Sequence, residues 1–201
     1  SMAGAAWLAA LAALHAGAGR TMLALLDTAS QGIAPWPEIM LRHPSTQAWD
    51  QATVVCGCGG GQAVAAWLPQ VLAQAPRLVL DADGLNAVAA DKELAHELEG
   101  RARIGLHSIL TPHPLEAARL LQITTGQVQA DRLAAARQLA RRFRCTVLLK
   151  GSGTVVASAA VAAQSACVIN PTGNARLATG GTGDVLAGLI GALWAQGLDA
   201  A

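Results

Sequence analysis

A glycine-rich turn, Gly180-Gly181-Thr182-Gly183, leads into Asp184 and then into an apolar run that ends near Trp194. Glycines let successive backbone N–H groups converge on one point. The unpaired donors at the start of a helix add partial positive charge, so such a turn can hold a phosphate. Asp184 stands at its mouth, where the helix dipole favours the carboxylate and places it to take a proton from a substrate hydroxyl. The same residues also read as an ordinary helix start, since Asp is favoured in any first turn. Lys150-Gly151-Ser152-Gly153-Thr154 puts a cation beside a tight turn. A nucleotide phosphate or ribose site needs that arrangement, although a solvated hairpin lysine fits it as well. In Thr111-Pro112-His113-Pro114-Leu115-Glu116 two prolines stiffen the backbone. His113 is therefore expected to project from a fixed loop toward a cleft, and Glu116 to open a helix. Asp81 and Asp83 read either as carboxylates that position a substrate or hold a water on Mg2+, or as an Asx turn capping the next helix. Asn174 is a candidate to face a nucleotide, and Asn170 reads as a turn residue.

These groups need elements to position them. Residues 3–16 form an Ala-rich helix, apolar nearly all round, and residues 21–26 a buried strand. Residues 27–50, with Pro35, Pro37 and Pro44 among them, read as a long irregular connection. Strands and helices then alternate: strand 53–56, helix 63–74, strand 78–80, helical residues to about 98, a strand at 109–110 and helix 115–121. A helix capped by Asp131 runs to about 143, followed by strands 146–149, 154–157 and 167–169. Strands that are continuous apolar runs, without period-two alternation, argue for a mostly parallel sheet covered by helices on both faces. Polar, Gly and Pro residues collect after strands at 57–61, 81–86, 111–116, 150–154 and from 170 onward. Ligands bind outside the carboxyl ends of parallel strands, so these segments are expected to form one cleft.

The 201 residues suit a single domain with a real core, being 53% hydrophobic and 13% charged. A net charge of +1 with no basic block excludes nucleic acid and an anionic membrane surface as expected partners. The first apolar segment is too short to span a bilayer and lacks a positively charged start. The four cysteines, Cys56, Cys58, Cys145 and Cys167, lack metal-ligand spacing. They read as buried, unreactive thiols in a reducing, cytoplasmic setting. A helix buried on all sides at the start of the chain suggests that a strand should precede it.

Taken together, these motifs resemble a family. The segments are Asp81-Ala82-Asp83-Gly84-Leu85-Asn86, the His113 loop continuing to Ala117, Leu149 to Thr154, Asn170-Pro171-Thr172-Gly173-Asn174 and Gly180 to Gly188. In that order they look like the ADP-dependent NAD(P)H-hydrate dehydratase family, of ribokinase-like α/β/α sandwich fold. Gly4-Ala5-Ala6 and the helix after it resemble the family's early segment. The resemblance implies repair of hydrated NADH and NADPH, with ADP as phosphoryl donor and Mg2+ assisting. It places the nucleotide on Lys150, Gly151, Ser152, Gly153, Thr154, Asn174, Gly181, Thr182 and Gly183. The hydrated cofactor falls on Ala5, Gly59, His113 and Asp184, with Asp184 as catalytic base and Glu116 reaching the metal through a water. Related kinases of the superfamily carry Asn at the position of His113, which favours the dehydratase. The alternatives are a vitamin-precursor or sugar kinase of the same superfamily, and a nucleotide-binding module without turnover. The resemblance also implies a tetramer and an NAD(P)H-hydrate epimerase as partner or fused domain. The family usually has Gly-Pro-Gly where this chain has Gly57-Cys58-Gly59, and Ala in place of Gly84. It also begins with a further strand ending in Gly-Gly-Ser and continues past Gly197.

Overall fold

Alanine carries too little side chain to hold a neighbouring helix away. In the computed structural model, which describes residues 2–26, 36–159 and 167–200, α1 (Ala3–His15) packs directly on a later helix. Its other neighbours are two three-residue strands, β1 (Thr21–Leu23) and β2 (Ile39–Leu41), paired in parallel as a separate small sheet. Only Ala9 and Ala10 of α1 are buried, and Leu8 is exposed, so the helix is not buried on all sides as its composition suggested. Alanine is the best helix former and costs little when exposed, so an alanine-rich helix does not reveal its burial. The strand expected over 21–26 stops at Leu23. Residues 36–50, read as irregular, contain β2 and two short 3-10 turns, Pro44–Thr46 and Trp49–Gln51. Residues 27–35 lie outside the described part of the chain.

The main sheet has six strands in sequence order: β3 (Thr53–Cys56), β4 (Arg77–Leu80), β5 (His107–Leu110), β6 (Thr146–Leu149), β7 (Val155–Ser158) and β8 (Cys167–Ile169). The first four pair in parallel, and β7 runs antiparallel to both β6 and β8, giving the mostly parallel sheet that the apolar runs predict. Side chains alternate between faces along a strand. Leu78, Leu80, Leu110, Val147 and Leu149 pack with α2 (Leu68–Gln74), α3 (Ala82–Ala90), α4 (Lys92–Gly100), α5 (Pro114–Leu121), α6 (Thr125–Ala130) and α7 (Arg132–Phe143). Val79 and Ile109 face the opposite way, toward α8 (Thr182–Ala195) and Ala9 of α1. A Cβ at Gly188 would overlap the carbonyl oxygen of Ala9, so α1 and α8 meet backbone to backbone there.

Local chemistry explains the boundaries that the sequence reading missed. The helical stretch expected after Asn86 to about 98 begins earlier, at Ala82, and breaks at Asp91, which takes an extended conformation and accepts from Glu93 N at 2.8 Å, capping α4. The helix expected over 63–74 is a 3-10 stretch, Gly61–Ala66, before α2, where Pro69 stands in the opening turn. Asp131 caps α7 as expected, accepting from Ala134 N at 2.8 Å. Among the described residues no helix is long and apolar enough to cross a membrane. Strands β1 and β3 line a common cavity of about 390 Å3, whose walls also include α1, Trp49, Trp67, the Gly57–Gly60 segment and Ala192 and Ala195 of α8.

Arg101 is 2% exposed. It donates to Ser108 Oγ at 2.8 Å, to Ala75 O at 2.6 Å and His107 O at 3.0 Å, and also to Leu72 O. One guanidinium thus joins the end of α2 to the start of β5. Arg101→Met strands these carbonyls without a donor and is expected to cost about 3 kcal/mol or more in urea unfolding.

Candidate active site

The strand-end segments meet through a chain of backbone hydrogen bonds. Asp81 N donates to Cys56 O at 3.0 Å, Thr111 N to Leu80 O at 3.1 Å, Lys150 N to Pro112 O at 2.8 Å and Asn170 N to Thr154 O at 2.9 Å. Parallel register carries each loop past the end of its neighbour, so loops far apart in sequence share one rim.

At the centre of the rim, Lys150 Nζ lies 2.5 Å from Asp81 Oδ1, and Asp81 is almost fully buried. Asp81 therefore does not cap α3, as the Asx-turn reading had it. Its carboxylate turns to the lysine, because a buried charge is tolerated only when paired. Asp83 accepts from Gly61 N at 2.8 Å, tying the segments after β3 and β4 together. The first turn of α8 abuts the ion pair: a Cβ at Gly183 would stand 3.4 Å from Lys150 Nζ and 3.8 Å from Asp81 Oδ2. Asp184 follows, and its carboxylate, that of Asp81 and the Cys58 thiol all lie within 4.8 Å of one another. Burial raises the Asp184 pKa above the usual carboxylate value. The nearby Cys58 thiol and the charge of Lys150 act against that rise, while Asp81 adds to it. Burial also pushes the Cys58 thiol far up, so it stays protonated at neutral pH, in agreement with the unreactive thiol expected.

His113 caps α5 through its ring. Nδ1 accepts from Leu115 N and Glu116 N, each at 3.1 Å, while Glu116 Oε2 accepts from His113 N at 2.7 Å. The proline-stiffened loop presents this reciprocal box in place of a free side chain. The His113 side chain is still 45% exposed, with Nε2 3.3 Å from Glu116 Oε1, so part of the ring faces outward. Glu116 itself is buried, and burial raises its pKa against the opposing effect of the His113 N–H.

The turn at 150–154 is held from behind by Arg132, the first residue of α7. Arg132 donates to Ser152 O at 2.7 Å, Leu149 O at 3.0 Å and Lys150 O at 3.2 Å. Gly151 has φ +142°, and Thr154 Oγ1 closes the turn on Gly151 O at 3.0 Å. Thr182 Oγ1 donates to Leu177 O and Thr179 O, bracing the approach to α8 behind Gly181. Met2 N donates to Gly59 O at 3.2 Å, and a Cβ at Gly59 would lie 3.0 Å from Ala5 Cβ, so Ala5 and Gly59 adjoin. Asn174 sits on an exposed stretch, where its side chain accepts from Arg176 N at 2.9 Å. Asn170 is the turn residue expected, accepting from Thr172 N at 3.0 Å.

A family model described as NAD(P)H-hydrate dehydratase matches residues 1–201. The chain belongs to that family. An ADP-dependent (S)-NAD(P)H-hydrate dehydratase of Neisseria meningitidis serogroup B is 43% identical, over 98% of this chain and 67% of its own length. The bifunctional NAD(P)H-hydrate repair enzyme Nnr of Escherichia coli K12 is 37% identical, over 98% of this chain and 37% of its own length. The ADP/ATP-dependent NAD(P)H-hydrate dehydratase of Bacillus subtilis, co-crystallised with ATP and Mg2+, superposes with TM-score 0.73 at 27% identity, covering 96% of this chain and 68% of that one. The dehydratase family thus accounts for the fold and for the order of the five motifs.

Within this dehydratase fold, two residues at the site had no sequence signal pointing to it. Arg132 stands 18 residues before Lys150 in the chain and reads locally as an exposed basic residue at a helix start. Cys58 reads as one more apolar thiol, and only the convergence of β3 and α8 puts it beside Asp184.

Proposed function

We propose that this chain repairs hydrated NADH and NADPH by ADP-dependent dehydration. One observation carries the reading: Asp184, the glycine amides opening α8 and the Lys150–Asp81 pair converge beside the His113 loop. Hydroxide leaves C6 of the hydrated nicotinamide ring poorly. Asp184 takes the proton of the C6 hydroxyl as its oxygen bonds the β-phosphorus of ADP, and the bond from that phosphorus to the bridging oxygen breaks to release AMP. The ring nitrogen's lone pair then expels phosphate, and loss of a C5 proton restores the double bond. The amides of Gly181, Thr182 and Gly183 hold the charge on the phosphoryl group in transit. Lys150, with the turn Gly151-Ser152-Gly153-Thr154 and Asn174, binds the nucleotide, while Ala5, Gly59 and His113 border the hydrated ring.

Mg2+, when bound with ADP, neutralises donor phosphate oxygens. It takes oxygen ligands and retains waters, and Asp81 is committed to Lys150. We assign Glu116 to it through a water, because its carboxylate has acceptor capacity beyond the bonds His113 makes. The same proposal includes a tetramer, supported by the exposed apolar side chains Val168, Ile169, Leu177, Val185 and Leu189. It also includes a reducing, cytoplasmic setting, with all four cysteines free, and an epimerase partner of the kind fused in the bifunctional relatives.

The test incubates the 201-residue chain with hydrated NADH and Mg2+ and follows the return of NADH absorbance with ADP or ATP. Turnover with ADP supports the proposal. A stable phosphorylated product with ATP makes the protein a kinase, and nucleotide binding without either reaction makes it a binding module. In the working enzyme the Asp184 anion is the base, and burial raises its pKa. The rate is therefore expected to drop as pH falls, with a midpoint raised from the ordinary aspartate value, read from the acid limb of the kcat profile.

A further inference from the structure

We propose that Cys58 is a positioning residue, whose S–H donates to the Asp184 carboxylate and aims it at the substrate hydroxyl. The inference rests on the reading of Asp184 as base. Residue 58 is held in place from both sides. Gly57 has φ +113° and Gly59 φ +67°, and a Cβ on either would overlap a backbone carbonyl, of Asp81 and of Met2 respectively. Cys58 is 8% exposed, and its Sγ lies within 4.8 Å of carboxylate oxygens of both Asp81 and Asp184. Asp81 already has Lys150 at 2.5 Å, which leaves Asp184 as the carboxylate to which a further donor matters most. A thiol is a weak donor, but here it is dry and confined to its protonated form. Its effect on Asp184 is to favour the anion, against the burial that favours the acid.

The experiment reads the Asp184 titration by carboxyl carbon-13 NMR in the wild-type chain, Cys58→Ala and Cys58→Ser, with kcat and the KM for ADP measured beside it. Cys58→Ala is expected to raise the Asp184 pKa by roughly half a unit, which makes kcat on the acid limb about threefold lower at fixed pH. The KM for ADP stays unchanged, and Cys58→Ser, which keeps a donor, restores the wild-type titration. An unshifted titration in Cys58→Ala overturns the proposal, even where kcat falls, because the thiol would then act only by packing. If Cys58→Ala does not fold, the S–H stretching band decides, assigned to Cys58 by its loss in Cys58→Ser. A band that moves to higher frequency in Asp184→Asn supports the contact, and an unmoved band overturns it. A shifted titration in a chain that turns over no hydrated NADH retains the Cys58–Asp184 contact and rejects the dehydratase reading instead.

Discussion

Asp184→Asn is expected to lower turnover of hydrated NADH by about 10²–10⁴-fold, the usual contribution of a positioned general base. ADP binding, measured by calorimetry, is expected to change little. The glycine amides, Lys150 and the braced turn behind it are all left in place, and the amide side chain keeps the shape of the carboxylate. The variant is also expected to be at least as stable as the parent. Burial raises the Asp184 pKa in the fold, so this group contributes stability below its unfolded pKa that is lost as pH rises through the folded one. At neutral pH the partly buried carboxylate is therefore a burden on the fold, and asparagine removes it. Full activity in Asp184→Asn would remove the residue as base. Loss of ADP binding along with activity would move it to the nucleotide site.

Gly57→Ala is expected to be strongly damaging for so small a change. A Cβ there meets the Asp81 carbonyl and stands 2.7 Å from Gly84 N, and φ is +113°, a region that alanine rarely adopts. Backbone must move at the point where the segments after β3 and β4 join. The expected cost is about 3 kcal/mol or more in urea unfolding, where an ordinary loop substitution gives well under about 1 kcal/mol. Displacing Asp81 also loosens its 2.5 Å contact with Lys150, so any folded fraction is expected to bind ADP at least about tenfold more weakly, the effect of disturbing one buried charged pair. Gly105→Ala is the control. Its φ is +77° but nothing lies within 4 Å of the added carbon, so only backbone strain of about 1 kcal/mol is expected.

The composition of single segments was enough for the layers of this protein. Apolar runs at 53–56, 78–80 and 146–149 can be buried on both faces only between helices, and they became β3, β4 and β6. Glycine, proline and aspartate after those runs marked the rim, because residues that end a strand and tolerate a tight turn are also those that bring backbone donors to a ligand. Asp131 as a cap was equally legible, since its partner is three residues away. Strand β2 was not: three apolar residues have no period, and only pairing with β1 makes them a strand. The capping by His113 was not foreseen because histidine is not among the usual N-cap residues, although Glu116 stands at the capping-box position. Arg132 behind Lys150 and Lys150 against Asp81 join residues 18 and 69 positions apart, and Cys58 beside Asp184 joins residues more distant still. Sequence by itself determined which chemical groups this protein has and that they stand at strand ends. Tertiary structure alone decided which of them touch, because hydrogen bonds and charge pairs act over a few ångströms in space and carry no trace in local pattern.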